Sequence, residues 1–411
     1  MSIDGFVEKM KMIQNDLLDF LEDESDAEDK YENFINLLST QEIIKDQYKF
    51  KGLLYLINSI GNNHQCIPNF IFKVERLLRQ FKEDIQKYFS NSKIFDFFRD
   101  NKRILLFLIE EKIITIDEYI FSQMTSYCYV IKKYCEYFQP EIKPFFTKEN
   151  IEKYNSKNGS LKDIEFIESM NKEVEENFYE KRREGENDDY LCELIRNNEI
   201  KEFITFTEQR NLSLENKIKE SIFETNQILV NAYYITLIEY ASFYGSIDII
   251  KYMQIKGVKL ISSMWTYAIH SRNAELIRYL EDNHVPRPEN SYNPILKESI
   301  KCHHNDITNY IIDYLMKEED LQNGIETNYY YNLYRYAVQS HNYCFFPANM
   351  KYKNMFLYLC EFGYYTLVEL YLTEGNIDIN ATVIMLIIQM TFYIKNIINI
   401  QILLFFMKLK N

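Results

Sequence analysis

With 411 residues the chain is long enough for several hydrophobic cores, but only 10 Gly and 7 Pro punctuate it, too little turn chemistry for a hairpin-rich β fold. Its formal charge of −14 and pI near 5.1 speak against a nucleic-acid partner, because neutralising phosphates takes clustered Lys and Arg. Seven cysteines form no C-x-x-C pair and read as reduced thiols, and the charged first twenty residues hold no apolar signal core, so a cytoplasmic or nuclear setting is expected.

Phe6, Met10, Ile13, Leu17, Leu18 and Leu21 fall on one face of an opening helix. The acidic run from Asp19 to Glu32 reads as a solvated loop. Apolar stripes follow at Phe34, Leu37 and Leu38, at Leu53, Leu54, Leu56 and Ile57, and at Phe72, Val74, Leu77, Leu78 and Phe81. Ile104 to Ile109 and Ile113 to Ile120 predict a helix pair, and Pro68 and Pro140 mark helix boundaries. Residues 1–185 are thus expected to be an irregular α-helical region. The charged stretch from Lys172 to Tyr190 around Gly185 predicts an exposed helix ending there, at a domain boundary or hinge.

A repeated phrase follows. Tyr240 to Met253 reads again 27 positions later as Tyr267 to Leu280, and Ser299 to Ile307 and Tyr358 to Leu372 give further copies. A looser unit spans Leu191 to Phe206, with Leu194, Ile195, Phe203 and Ile204 in core-like positions. Self-similarity at this period marks stacked helical hairpins, each burying a face its neighbour leaves apolar. Gly245 and Gly363 stand where one helix must end and the chain reverse. From Ile312 to Asn332 an insertion interrupts the pattern.

The phrase Ala-x-x-x-Gly-x-x-Ile-Ile, with the closing Gly257-Val258-Lys259 or Gly375-Asn376-Ile377-Asp378-Ile379-Asn380-Ala381, resembles a divergent ankyrin repeat. Leu237 to Ala241 and Lys297 to Lys301 are similar to the expanded ankyrin-like proteins of parasitic protists such as trichomonads, a family of unknown function. The resemblance covers about residues 186–381 and implies an all-α helical-hairpin solenoid that binds proteins, with no catalytic residues to carry over. The T-P-L-H phrase of the standard repeat is absent.

Searches for chemistry return little. No two glycines lie closer than nine positions, so no phosphate-cradling loop, dinucleotide fingerprint or G-x-S-x-G elbow can be written. Cys302-His303-His304, with His270 and His284 nearby in sequence, is the one ligand-like group. Adjacent histidines at a turn should diverge and no second thiol stands at ligand spacing, so no metal, cofactor or small-molecule substrate is assigned. Lys259, Arg287 and Tyr292 fall in loops between units, where repeat arrays meet partners, and Trp265, the single tryptophan, is a candidate anchor or, more simply, packing between units.

Residues 382–411 are the anomaly. From Ala381 to Met407 one charge, Lys395, stands among 15 Val, Ile, Leu and Phe residues. These contribute roughly −5 to −9 kcal/mol to membrane insertion, against about 3 for a central Lys and further cost from Asn and Gln. The tail therefore reads as a truncated or frame-shifted unit, or as a membrane anchor. The function expected is a non-catalytic protein-protein interaction scaffold, with a C-terminally membrane-associated adaptor as the alternative.

Overall fold

A computed structural model describes residues 2–374, apart from 24, 26–27, 65–66, 68, 126–129, 148–172, 233, 317–328, 349 and 351–354. The apolar tail at 382–411 lies outside the described residues. Among the described residues there are helices and turns and no strand, only an isolated bridge between Lys217 and Thr236. None of these helices is long and apolar enough to cross a membrane.

Contacts divide the chain into two units. The first comprises residues 1–20, 27–56 and 323–411, the second 21–26 and 57–322. Residues 185 and 186, where a boundary was expected, both lie within the second unit.

The second unit begins with α4 (Phe70–Gln80), α5 (Lys82–Tyr88), α6 (Asn91–Phe98), α7 (Lys102–Glu110), α8 (Glu118–Thr125), α9 (Val130–Tyr137) and α10 (Gln139–Ile142). It also takes the ends of α1 (Ile3–Glu22) and α3 (Gln47–Asn63). Pro140 sits in the first turn of α10, where its missing N–H is no loss. Two expectations fail here. Phe72 is 61% exposed and Phe70 and Ile71 are buried in its place, so the buried stripe of α4 is turned from the one drawn. Ile113 and Ile114 are buried, but in a turn that precedes α8 and not in a helix.

Next come α11 (Phe178–Glu184), ended by left-handed Gly185, and the hairpin α12 (Tyr190–Arg196) and α13 (Ile200–Gln209). A short helix α14 (Gln227–Asn231) precedes α15 (Leu237–Tyr244), α16 (Ile247–Ile255), α17 (Met264–Ser271), α18 (Ala274–Asp282), α19 (Asn293–Lys301) and α20 (Asn305–Tyr310), which continues as a π turn to Met316. Helix α12 packs on α15, α15 on α17, and α17 on α19, while α13 packs on α16. The phrase that repeats in sequence thus repeats as neighbours in space. Ala241, Ala268 and Ser299, matching positions of α15, α17 and α19, are wholly buried; small side chains here let three helix backbones approach closely. Thr236 and Glu239 form a reciprocal capping box at the start of α15.

One turn recurs. The residue before the second helix of each pair has positive φ: Asn198, Gly245, Arg272 and His303 here, and His341 and Gly363 in the first unit. The next residue caps the following helix or 3₁₀ turn. In five of these six turns its amide bonds the carbonyl five positions back, as Ser246 does to Ala241 at 2.9 Å and His304 to Ser299 at 3.1 Å, the six-to-one bond of a Schellman motif. A left-handed residue also follows α7, α13, α16 and α18, at Lys112, Asn211, Gly257 and His284.

In the first unit, α1, α2 (Glu28–Thr40) and the first part of α3 accompany α21 (Tyr329–Gln339), α22 (Met355–Glu361) and α23 (Tyr365–Thr373). The fourth sequence copy is the α22 and α23 pair. Residues Tyr329–Phe345, partly read as insertion, make the same turn at His341, followed by a 3₁₀ turn in place of a second helix. Gln14, wholly buried, donates to Asn342 Oδ1 at 2.8 Å and accepts from the Tyr343 amide at 2.7 Å.

Glycine is needed where the turn is crowded. At Gly245 a Cβ would stand 3.1 Å from Asn273 Nδ2 and 3.2 Å from Ser271 Cβ, at φ +68°. Gly245→Ala should therefore cost at least about 1–2 kcal/mol, whereas His284→Gly, at an exposed site with φ 51°, should gain up to about 1 kcal/mol. Urea unfolding midpoints at unchanged m would show both signs.

His341 is intermediate in overall exposure, but its ring is sandwiched between Tyr55 at 5.2 Å and Tyr364 at 4.8 Å. That burial, with Lys51 adding repulsion, pushes its pKa down to about 3. The folded value lies below the unfolded one of about 6.5, so the unfolded chain binds the extra proton. Stability should be undiminished above pH 6.5 and fall by up to about 1.4 kcal/mol per pH unit below it, until the folded pKa is reached. His341→Gln should flatten that part of the pH profile of urea unfolding.

Candidate functional site

Two places in the second unit gather chemistry: the loops between hairpins and a buried polar cluster at the turn between α19 and α20. The loop from α16 to α17 carries exposed Lys259, just after Ile255, which is 82% exposed, and left-handed Gly257. The loop from α18 to α19 carries Arg287 between Pro286 and Pro288. A residue before proline is held to extended backbone, and Arg287 sits there at φ −73°, ψ 146°. Its guanidinium lies 5.0 Å from the ring centroid of Tyr292, a cation–π contact. Tyr292 in turn meets Trp265 edge to face at 6.3 Å. These three side chains, read separately from the sequence, form one pillar.

Trp265 is the base of that pillar. It is 2% exposed, and its indole N–H donates to the Val285 carbonyl at 3.2 Å, so it supports the loop and does not reach a partner. Trp265→Ala should cost about 3–5 kcal/mol, and in the wild type the single indole should resist acrylamide quenching until the unit unfolds. Strong quenching of the folded chain would contradict the packing.

The other place is the turn between α19 and α20, where Cys302-His303-His304 falls. His270, buried on α17, donates from its ring to Glu298 Oε1 at 2.7 Å, and Glu298 also takes Lys301 Nζ at 2.9 Å. Burial pushes the Glu298 carboxyl up, but the bond from His270 and the charge of Lys301 outweigh it and hold the group down to about 2. Burial keeps His270 neutral, against the pull of Glu298. The Cys302 sulfur stands 3.6 and 3.7 Å from the two ring nitrogens of His270. This group of three is internally satisfied through Glu298.

His304 faces elsewhere. Its ring centroid is 4.7 Å from that of His64, just beyond α3, and one ligand atom each of Glu22, His64 and His304 lie within 4.8 Å of one another. Glu22 and His64 are 240 residues or more from His304 in sequence, and no spacing rule would join them. His284, the other sequence candidate, is exposed at the end of α18 and belongs to neither group. Compared with protein-family models, with curated proteins and with solved structures, the chain matches none.

Proposed function

We propose that the chain is a non-catalytic protein-binding scaffold, built from helical hairpins of a divergent ankyrin-like kind, whose inter-hairpin loops receive a partner protein. The observation that carries this reading is the Arg287–Tyr292–Trp265 pillar. Arg and Tyr are the residue types in which binding energy concentrates, and here both are held in place before a partner arrives, so little side-chain entropy remains to be lost. Two prolines stiffen the loop further. Lys259 and exposed Ile255, one loop earlier, add a cation and an apolar contact. The successive packing of α12, α15, α17 and α19 supports the solenoid reading of this part of the chain.

The test uses the full chain as bait for proximity labelling in its native cell, followed by affinity measurement with the partner so identified. Tyr292→Ala and Arg287→Ala should each cost about 2 kcal/mol of binding, roughly thirtyfold in Kd, while helical circular dichroism is unchanged. Lys259→Glu should mainly slow association and steepen with falling salt. A partner set and affinities indifferent to the paired Arg287 and Tyr292 substitutions would sink the proposal.

A further inference from the structure

We infer that Glu22, His64 and His304 form a binding site for a divalent transition metal, zinc by its ligand set, that ties the ends of α1 and α3 to the turn between α19 and α20.

The argument starts from a broken pattern. At several helix starts the side chain of the capping residue is held by a backbone carbonyl of another element. Ser246 donates to the Ile195 carbonyl, Asn273 to that of Gly245 at 3.1 Å, and Asn101 to that of Gly61 at 3.2 Å. His304 occupies the same position, is 2% exposed, and neither of its ring nitrogens has a hydrogen-bond partner among the described residues. Leaving one buried polar atom unpaired costs about 1–3 kcal/mol, and here there are two on one ring.

The ring opposite is set up for the same purpose. His64 Nε2 contacts the Cys302 carbonyl, and since a carbonyl only accepts, Nε2 carries the hydrogen. Its Nδ1 lies 3.2 Å from Glu22 Oε1 without making a hydrogen bond. An imidazole whose far N–H is anchored on a backbone carbonyl is the orientation that metal-ligating histidines adopt. Phe70 stacks on the ring at 5.6 Å and fixes its plane. Glu22 is anchored likewise: its Oε2 accepts from Arg272 Nη1 at 2.7 Å, which leaves Oε1 for the ion, and Asp306, 3.4 Å from Arg272 Nε, offsets the guanidinium charge.

The dimensions agree. Zinc bonds nitrogen and carboxylate oxygen at about 2.0–2.1 Å, so tetrahedral ligand atoms stand roughly 3.3 Å apart. Glu22 Oε1 and His64 Nδ1 are at 3.2 Å already, and all three ligand atoms lie within 4.8 Å, so side-chain movements of about 1.5 Å or less close the set. Two imidazoles and one carboxylate suit zinc among the divalent metals, with water as fourth ligand. The Glu22 side chain is 22% exposed and marks the route of entry. The neighbouring His270, Glu298 and Cys302 do not compete, because Glu298 already pairs His270 and Lys301.

The experiment uses the full chain, stripped with chelator and titrated with zinc chloride by calorimetry, and with cobalt(II) followed by its visible absorption. The wild type should take up one equivalent with a rise in thermal midpoint, and cobalt should show the intense bands of four-coordination. His304→Asn introduces the side chain that Asn273 and Asn101 use at the same position; it should fold normally by circular dichroism and Trp265 fluorescence yet bind zinc about a hundredfold more weakly or worse. Glu22→Gln should do the same, and Arg272→Gln should weaken binding about 10- to 100-fold. Equal zinc uptake by wild type, His304→Asn and Glu22→Gln would overturn the inference, as would a wild type that takes up none, in which case Glu22 and His64 are an ion pair only.

Discussion

The structure of the second unit depends on one constraint: a polar turn has to be buried between helical hairpins without leaving its hydrogen-bonding groups bare. Each hairpin reverses through a left-handed residue followed by a capping residue. In five of the six turns its amide is satisfied by the preceding helix, through the six-to-one bond, but where its side chain is turned inward it needs something outside its own hairpin. Ser246 and Asn273 find it in the carbonyls of the hairpin before, so a local capping requirement becomes the peg that sets the register of one pair on the next. Around that peg, Ala241, Ala268 and Ser299 bring the first helices together. His304 has no such carbonyl and faces Glu22 and His64 from distant segments instead, and for that reason the turn between α19 and α20 is where ligand-type side chains collect.

The aromatic content serves this architecture. Tyrosine fills volume and carries a hydroxyl that can close an otherwise bare carbonyl, which suits a chain in which helices end in the interior. Tyr137 donates to the Arg182 carbonyl at 3.0 Å and Tyr364 to that of Val338 at 2.7 Å, both from buried sites where the phenol is pushed above its usual pKa. Buried cations are treated in the same way. Lys102 donates to the Glu224 carbonyl at 2.9 Å, and Arg182 reaches both oxygens of Glu141. Such groups are costly to bury unless fully paired, and each ties segments that are far apart in sequence.

The loop pillar and the polar cluster differ in depth. The loop pillar clamps half-buried Arg287 and Tyr292 to buried Trp265, so a partly exposed contact inherits the order of the core. The polar cluster sits deeper, where an ion would add a bond between the ends of α1 and α3 and the turn before α20. Both features exist because the hairpins bring loop and turn residues from neighbouring units together.

The all-helical character, the buried face of α1 and the pairing of Tyr240 to Met253 with Tyr267 to Leu280 are legible in the amino-acid sequence, because helical periodicity and repeat spacing are written within a few residues of one another. Gly245 and Gly363 betray their turns, but four of the six turns use Asn, Arg or His at the left-handed position, and so the helix from Tyr329 passes in part for insertion and the turn at His341 goes unread. Phe72 fails for a similar reason: the spacing of α4 admits more than one face, and only the neighbours it packs against choose between them. Trp265, Tyr292 and Arg287 could each be named from the sequence, but not as a stack. What tertiary structure alone decides is the meeting of Glu22, His64 and His304, since contacts across 240 residues of chain leave no periodic trace; they arise from where whole helices end, and that is set by packing.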